Sequence, residues 1–520
     1  MKITLSILNA PPTLCLRQNG DVHNFHYTPY QPIDKANYDF RLLFVGRKAM
    51  EIYMEEKYIS EIVANVIKSM GSDATPIVKK TNQLGVFDSM TDALAAVNKA
   101  YIEFKNYTVE KREQMISKIR EFTLNEAENL AKLGVSETGM GRVEDKIIKH
   151  QLVANKTPGT EDLKPSVWTG DNGMTLVEMA PYGVIGSITP STNPSETVIC
   201  NSMGMIAGGN GVVFNPHPGA KETANYAVDL VNRAILEAGG PENLVVSVKN
   251  PTKESSDEMM NSPIVRMLVA TGGPGVVHAL LSSGKKAIGA GAGNPPVIVD
   301  DTADVEKAAK DIVNGASFDN NLPCIAEKEC FVFRNVADRL ISTMRSNGAY
   351  LITGSQIDKL RDVCLINKDG KYVINKKWVG KDAYKFLNAI GIEADKNVKL
   401  VICETDANHP FVQVEMMMPV LAIVRVDSID EAIKLAVEAE HGCRHSAHIH
   451  SKNVDNLTRF ARAVETTIFV KNAPSYAGIG AGGEGYTTFT IAGPTGEGLT
   501  AAHSFTRARR CVLVDGLHIV

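Results

Sequence analysis

Residues 181–197 read PYGVIGSITPSTNPSET, and this stretch indicates the fold. Its first half, Tyr182–Ile188, is a short apolar run typical of a buried strand. A polar loop fenced by two prolines follows, and a helix is expected to begin near Ser195. The loop contains Thr189, Pro190, Ser191 and Asn193. An amide beside a helix start is able to hold a developing oxyanion, although a lone Asn in a proline-rich turn more often has a structural role.

Similar apolar runs recur along the chain between helical stretches. They are Gly211–Phe214, Leu244–Val248, Val265–Ala270, Pro296–Val299, Cys330–Phe333, Val420–Val424 and Thr467–Val470. Strands that alternate with helices predict parallel sheets and an α/β fold.

The composition excludes several classes of protein. The 520 residues include 55 basic and 59 acidic side chains, a formal charge of −4, which argues against a nucleic-acid-binding protein. No apolar run approaches the ~20 residues of a membrane helix, so no membrane contact is expected. The 8 cysteines have no CxxC spacing and no secretory pattern precedes them, which indicates free thiols in the cytoplasm.

The N-terminal 80 residues differ in pattern from the rest. Residues 1–54 show no sustained period and are expected to form an irregular extension. Residues 55–80 are predicted to form an amphipathic helix, Glu56–Met70, and a linker. A short helix cannot bury its apolar stripe alone, so it is expected either to dock on a partner or to fold back onto its own domain.

Cys324 ends a polar, turn-prone run that begins at Ser317. A nucleophilic cysteine needs such a loop and an environment that favours the thiolate. The alternative is a small buried hydrophobe, the usual place of a free cysteine. Glycine clusters at other strand ends allow a ligand to approach the backbone, but they suit tight packing equally well. They are Ala207–Gly211, Ala270–Gly275 and Gly289–Pro296.

These motifs, taken in order, resemble the aldehyde dehydrogenase superfamily from about Leu84 to Val520. The ones that carry the resemblance are Pro181–Gly186, the Asn193 loop, Ala207–Pro216, Thr271–Gly273, the Cys324 loop and Glu415–Val420. The details are most similar to the CoA-acylating branch, the propionaldehyde and acetaldehyde dehydrogenases of bacterial microcompartments. The resemblance implies oxidation of a C2–C4 aldehyde, with propionaldehyde favoured, to an acyl-CoA with reduction of NAD⁺, in a reversible reaction.

The resemblance also implies a role for each matching residue. Cys324 is the expected nucleophile, and Asn193 with the Cys324 N–H is the expected oxyanion hole. Glu415 is expected to hold the nicotinamide ribose. The other expected cofactor contacts are Thr189, Pro190, Ser191, Asn215, His217, Pro218, Thr271, Gly272, Gly273 and Gly291. No basic residue before Lys221 is placed for a 2′-phosphate, which favours NAD⁺ over NADP⁺.

The absence of one carboxylate indicates which acyl acceptor completes the reaction. Hydrolytic relatives carry a water-activating glutamate, whereas Gly289–Asn294 contains no carboxylate, so coenzyme A is the expected acyl acceptor. The alternative is a hydrolytic enzyme in which Glu327 or Asp319 replaces that base. A non-redox acyltransferase and a catalytically silent shell-binding protein are further alternatives, and both predict no NADH.

The family fold implies the organisation of the chain. A Rossmann-like NAD-binding domain is expected over 81–299 and an α/β catalytic domain over 300–500. A β-arm for oligomerisation would draw on 168–181 and on a strand within 501–520, Cys511–Val520, and would form a homodimer or a dimer of dimers. The helix Glu56–Met70 is expected to bind a shell protein, which would place the enzyme inside a microcompartment in the cytoplasm. No metal is expected, because the histidines of His441–His450 are interpreted as a structural segment near the cofactor cleft.

Overall fold

A computed structural model describes residues 14–18, 21–25 and 83–519 of the chain. Two compact units, Met1–Thr81 and Asn82–Val520, are distinguished. In the first, Leu14–Gln18 pairs antiparallel with Asp21–Phe25, so part of the extension expected to be irregular is a hairpin. Residues 19–20 read Asn-Gly, the dipeptide most favoured in two-residue hairpin loops. The predicted helix Glu56–Met70 and its linker lie outside the described residues.

The strands and helices are numbered along the described chain. The strands are β1 (Leu14–Gln18), β2 (Asp21–Phe25), β3 (Val86–Phe87), β4 (Ser166–Gly170), β5 (Gly173–Pro181), β6 (Val184–Thr189), β7 (Gly211–Pro216), β8 (Val245–Val248), β9 (Val265–Thr271), β10 (Lys286–Ala290), β11 (Pro296–Val299), β12 (Glu329–Phe333), β13 (Ala349–Ile352), β14 (Leu365–Lys368), β15 (Lys371–Ile374), β16 (Leu400–Glu404), β17 (Val420–Val426), β18 (Ser446–His450), β19 (Ile468–Lys471), β20 (Ile491–Ala492), β21 (Gly498–Leu499) and β22 (Thr506–Val514). The helices are α1 (Met90–Phe104), α2 (Val109–Thr138), α3 (Val143–Lys156), α4 (Pro194–Ala207), α5 (Lys221–Glu237), α6 (Lys253–Asn261), α7 (Pro274–Leu281), α8 (Val305–Ser317), α9 (Arg334–Ser346), α10 (Ser355–Cys364), α11 (Ala383–Ala389), α12 (Pro410–Gln413), α13 (Ile429–Glu440) and α14 (Val454–Val464).

The first large sheet is parallel and has the order β10-β9-β6-β7-β8-β3. Successive residues of a strand pack alternately into two apolar clusters, one on each face of the sheet. Val212 and Phe214 face the cluster that includes α4 and α5, while Val213 between them faces α1. Because both faces are covered, the strands β6, β7, β8 and β9 are apolar runs, as predicted, whereas the edge strands β3 and β10 were not predicted.

The second large sheet is also parallel, with the order β13-β16-β17-β12-β11-β18-β19. Its strand β11 (Pro296–Val299) falls within the NAD-binding domain expected from the sequence, 81–299. It instead pairs with β12 and β18, so the change of sheet lies between Ala290 and Pro296, not at 299. The α/β fold with two sheets is otherwise confirmed.

The third sheet is the antiparallel arm, with the order β22-β5-β4. The terminal strand begins earlier than predicted, at Thr506 rather than Cys511, and ends at Val514. Thr506 pairs with Pro181 and Val514 with Gly173, so the length of β5 fixes that of β22. None of the helices in the described part of the chain has the length and apolar character of a membrane span.

Candidate active site

The loop that carries Cys324 begins with an unusual turn between α8 and β12. Asp319, Asn320 and Asn321 have φ angles of 47°, 55° and 65°, which is three left-handed residues in succession. Among residues with a β-carbon, Asn and Asp adopt this conformation most readily. Asn320 Nδ2 donates to the carbonyl of Gly380 at 2.9 Å, and Asn321 Nδ2 donates to the carbonyls of Ala316 and Glu327 at 2.8 and 3.0 Å. The side chains therefore hold the turn that sets the position of Cys324.

We expect Asn321→Ala to destabilise the protein by about 2–4 kcal/mol, because a left-handed alanine is strained and two buried carbonyls lose their donor. Thermal and urea unfolding of both proteins would measure the difference. Asn243→Ala is the matched control, since Asn243 is also left-handed, with a φ of 61°, and its side chain makes no hydrogen bond within the described residues. Equal losses from the two substitutions would show that the side-chain bonds of Asn321 contribute nothing.

Cys324 is half-buried, and its surroundings keep it a thiol. Burial and the carboxylate of Glu415 raise its pKa to about 12, against the opposing effect of Lys328. This differs from the expected thiolate-favouring environment. Lys328 is itself buried, and its Nζ donates to Asn321 Oδ1 at 2.5 Å and to the Asn321 carbonyl at 3.0 Å.

We therefore expect the ligand-free enzyme to react with iodoacetamide at a rate that rises with pH. While the pH is below the pKa of a thiol, its thiolate fraction rises about tenfold for each unit by which the pH increases. The inactivation rate should therefore reach no plateau up to about pH 10. Stopped inactivation assays between pH 6 and 10 would measure it, with protection by aldehyde as the control for Cys324. A plateau near pH 8 would contradict the buried-thiol state.

Asn193 lies at the start of α4, and the orientation of its amide follows from its neighbours. Its Oδ1 accepts a hydrogen bond from Lys149 Nζ at 2.5 Å, so Nδ2 is the end left to donate to a ligand. Nδ2 makes a long contact of 3.3 Å with Thr192 Oγ1. Lys149, on α3, also meets Asp319 Oδ2 at 2.6 Å. The structure thus joins the predicted amide donor to the turn before Cys324.

Gly293 brings three groups together beside the nucleophile. A β-carbon at this position would lie 2.9 Å from the Cys324 carbonyl oxygen and 2.8 Å from His445 Cγ, so only glycine fits. The Gly293 N–H donates to Glu415 Oε1 at 3.4 Å. His445 is buried, its Nδ1 lies 2.8 Å from Ser446 Oγ, and its Nε2 has no partner among the described residues. Burial and Lys328 lower the pKa of His445 to about 4, so the ring is neutral at pH 7.

The predicted cofactor residues other than Glu415 lie at or near one edge of the first sheet, whereas Glu415 precedes β17 of the second. Thr189, Asn215 and Thr271 come at or near the carboxyl ends of the adjacent strands β6, β7 and β9, where parallel sheets bind ligands. A cleft of about 570 Å³ opens near this edge. It is lined by Pro274, Val277, His278, Leu281, Gly291, Ala292, Gly442, Cys443, Arg444, Gly493 and Pro494. A β-carbon on Gly272 or Gly273 would meet nothing within 4 Å, so the backbone at the start of α7 is open to a ligand, as a bound pyrophosphate requires. Of the predicted cofactor residues, Gly291 is among those that line the cleft.

Two of the predicted cofactor residues also have structural roles. Asn215 Oδ1 accepts from Ser255 Oγ at 2.6 Å, which ties β7 to the start of α6. His217 Nδ1 accepts from the Gly219 N–H at 3.0 Å and caps the turn that contains Pro218. Lys221 Nζ donates to Asn250 Oδ1 at 2.6 Å.

The candidate metal-ligating histidines and the two alternative bases make contacts within the fold. His448 and His450 are buried in β18, and His448 Nε2 lies 2.9 Å from the carbonyl of Ile325. Within 83–519 no group of His, Cys, Asp or Glu side chains is arranged to hold a metal ion. Asp319, one alternative base, is bonded to Lys146 and Lys149. Glu327, the other, packs on Gly315 and accepts from the Ser475 N–H at 2.9 Å.

Known proteins resemble this chain over most of its length. The aldehyde dehydrogenase family model matches residues 78–504. EutE of Salmonella typhimurium, an acetylating acetaldehyde dehydrogenase, is 49% identical over 470 residues, which cover 90% of this chain and 100% of the relative. The structure of a propionaldehyde dehydrogenase from the Clostridium phytofermentans fucose utilisation bacterial microcompartment has a TM-score of 0.83 at 56% identity, covering 84% of this chain and 100% of that one. A Rhodopseudomonas palustris propionaldehyde dehydrogenase with bound CoA and an acylated cysteine gives 0.81 at 53%, with coverages of 83% and 98%.

Proposed function

The chain belongs to the aldehyde dehydrogenase family, and for this member we propose the oxidation of a short aldehyde to its acyl-CoA with NAD⁺. One observation carries the choice of CoA over water: the segment Gly289–Asn294, which lies against Cys324 through Gly293, contains no carboxylate. Asp319 is paired with two buried lysines, which counts against it as a base for hydrolysis. Glu327 stays the alternative base, because its Oε2 has no partner among the described residues and burial raises its pKa to about 7. The proposed substrates are C2–C4 aldehydes with propionaldehyde favoured, in line with the relatives named for acetaldehyde and propionaldehyde.

In the first half-reaction, Cys324 Sγ bonds to the aldehyde carbon to give a thiohemiacetal. Its proton passes to a base, for which the neutral imidazole of His445 is proposed. Asn193 Nδ2 and the Cys324 N–H hold the oxygen, which carries the developing negative charge. NAD⁺, when bound, would supply the acceptor for the hydride of that carbon, which would leave a thioester on Cys324. Glu415, Gly272, Gly273 and Gly291 are proposed to hold that cofactor.

In the second half-reaction, the thiolate of CoA attacks the thioester on Cys324. The new carbon–sulfur bond forms as the bond to Sγ breaks, so acyl-CoA leaves and the Cys324 thiolate returns. One thioester replaces another, so the reaction is reversible. His217 Nδ1 and Lys221 Nζ each make a hydrogen bond within the protein, to the Gly219 N–H and to Asn250 Oδ1, which supports NAD⁺ over NADP⁺.

The test is NADH formation at 340 nm with purified protein, propionaldehyde and NAD⁺, with and without CoA. Sustained turnover that needs CoA supports the acylating reaction. Equal turnover without CoA would favour the hydrolytic enzyme, and no NADH under any condition would favour the acyltransferase or the silent shell-binding protein.

We also propose that the helix Glu56–Met70 docks the enzyme on a shell protein inside a bacterial microcompartment in the cytoplasm. The support is the apolar stripe in the sequence and the microcompartment relative. Changing Ile62 and Val66 to Glu is expected to abolish co-sedimentation with shells and to leave turnover unchanged, because every residue proposed for the reaction belongs to Asn82–Val520. Lys68→Glu, off the stripe, is the control. Retained co-sedimentation of the stripe variant would contradict docking through this helix.

The arm supports a proposed homodimer or dimer of dimers. Its edge strands β4 and β22 expose large apolar side chains, including Trp168 at 58% and Val514 at 66%. Open strand edges with apolar side chains call for a partner chain. Light scattering would distinguish these assemblies from a monomer.

A further inference from the structure

A buried ion cluster lies between α3, α4 and the turn before Cys324, with Lys149 at its centre. Lys149 Nζ is 2.5 Å from Asn193 Oδ1, 2.6 Å from Asp319 Oδ2 and 2.9 Å from Glu196 Oε1. The side chains of Lys149 and Asp319 are fully buried and that of Glu196 is 1% exposed. The ammonium donates hydrogen bonds to Asn193 and Asp319, and Glu196 lies within ion-pair distance, so the charge of Lys149 is used inside the protein.

An asparagine amide holds an oxyanion only when its NH₂ end faces that oxygen. Rotating the amide by 180° would present Oδ1 to the developing negative charge and would repel it. Lys149 fixes the rotation, because its ammonium bonds only to the oxygen end of Asn193. We infer that Lys149 is a positioning residue that holds both parts of the oxyanion hole in register, an inference that rests on the proposed function of Asn193.

The second part of the oxyanion hole is the Cys324 N–H, and Lys149 reaches it through Asp319. Asp319 is the first of the three left-handed residues before Cys324. Its Oδ1 accepts from the Arg142 N–H at 2.9 Å, and its own N–H donates to Asp145 Oδ2 at 2.8 Å. Helix α3 and the residue before it, Arg142, therefore fix the positions of both Asn193 and the loop that carries Cys324. Burial disfavours the charged ammonium, but Asp319 and Glu196 outweigh it and raise the pKa of Lys149, so the anchor stays charged.

Lys146 provides a matched control within the same cluster. Its Nζ is 3.1 Å from Asp319 Oδ2 and 3.1 Å from the Thr192 carbonyl, and it is buried like Lys149. It makes no hydrogen bond to the Asn193 side chain among the described contacts. Lys149→Met and Lys146→Met thus remove the same charge at nearly the same place, and they differ in the contact to the amide.

The experiment is a double-mutant cycle with Asn193→Ala, read as kcat and KM in the CoA-dependent assay. We expect Asn193→Ala to lower kcat by about 100-fold and Lys149→Met by at least about tenfold, with KM for NAD⁺ nearly unchanged. In the Asn193→Ala background, Lys149→Met should cost several-fold less than in the wild type, and the cost that remains is its effect on the Cys324 N–H through Asp319. The cost of Lys146→Met should be the same in both backgrounds. A Lys149→Met loss that persists fully without Asn193 would overturn the inference.

A second variant guards against misfolding, because Lys149→Met leaves two buried carboxylates short of a cation. Lys149→Met with Glu196→Gln restores the charge balance, and Glu196→Gln alone is its reference. In the Glu196→Gln background too, the loss of kcat caused by Lys149→Met is expected to shrink when Asn193 is replaced by Ala. If neither variant folds, Lys149 is a structural residue and the inference is overturned. If Asn193→Ala itself keeps full kcat, the proposed role of Asn193 is wrong. If both single variants lose kcat and the two losses add, only the inference about Lys149 is wrong.

Discussion

Replacing Cys324 by alanine is expected to abolish NADH formation with every short aldehyde, whether or not CoA is present. In the proposed reaction Sγ bonds to the aldehyde carbon before any hydride can leave, so its removal blocks both half-reactions. A loss of at least about 10⁴-fold is expected, as for other enzymes that lose a covalent nucleophile. The measurement is absorbance at 340 nm at saturating propionaldehyde and NAD⁺.

The control is Cys511→Ala, which removes an exposed thiol from the arm and should leave turnover intact. Circular dichroism would show that Cys324→Ala keeps its fold, since only one half-buried sulfur atom is lost. If Cys324→Ala retained a tenth of the wild-type turnover, roughly 10³-fold above expectation, another residue would be the nucleophile.

Omitting CoA is expected to reduce NADH formation to a single stoichiometric burst. The thioester on Cys324 then waits for water, and no carboxylate of Gly289–Asn294 is present to activate it. The steady-state rate should fall by at least about 100-fold, the usual contribution of a general base. Stopped-flow absorbance at 340 nm separates the burst from the steady state, and titrated active sites give the stoichiometry.

A small thiol, such as 2-mercaptoethanol, serves as the control for CoA. It should restore part of the turnover, because any thiolate can attack a thioester. A primary alcohol at the same concentration should not. Undiminished turnover in the absence of every thiol would mean that water deacylates the enzyme, and Glu327→Gln would then identify whether Glu327 is the base.

The sequence predicts eight of the thirteen strands of the two large sheets, because burial on both faces makes those strands continuous apolar runs. It misses β3, β10, β13, β16 and β18. The proposed roles of Cys324, Asn193 and Glu415 rest on ordered motifs in the sequence. The sequence does not predict the change of sheet before Pro296, because the partners of β11 include β18, about 150 residues later in the chain. The strand end at Val514 is likewise set by pairing with Gly173, which no local pattern reveals.

The lysines of the site were missed for a similar reason. Lys149 stands in the segment EDKIIKHQLVANK, whose charges are typical of a solvated helix face. Its partner Asp319 is 170 residues away, and only the folded chain shows that both are buried. The Asp-Asn-Asn turn before Cys324 does carry a local signal, because these residue types favour left-handed backbone.

The glycines of Gly289–Gly293 have a consequence for protein engineering. Conversion of this enzyme into a producer of free acids would require a carboxylate in the segment. At 289 a new β-carbon would lie 2.6 Å from Val277 Cγ1, and at 293 it would lie 2.9 Å from the Cys324 carbonyl oxygen. Of these three glycines only Gly291 has room, with Pro494 Cγ at 3.5 Å, and it lines the cleft of about 570 Å³. Substitution of Gly289 or Gly293 is therefore a poor route to a hydrolase, whereas Ala290 and Ala292 already carry a β-carbon and are the positions at which to introduce the carboxylate.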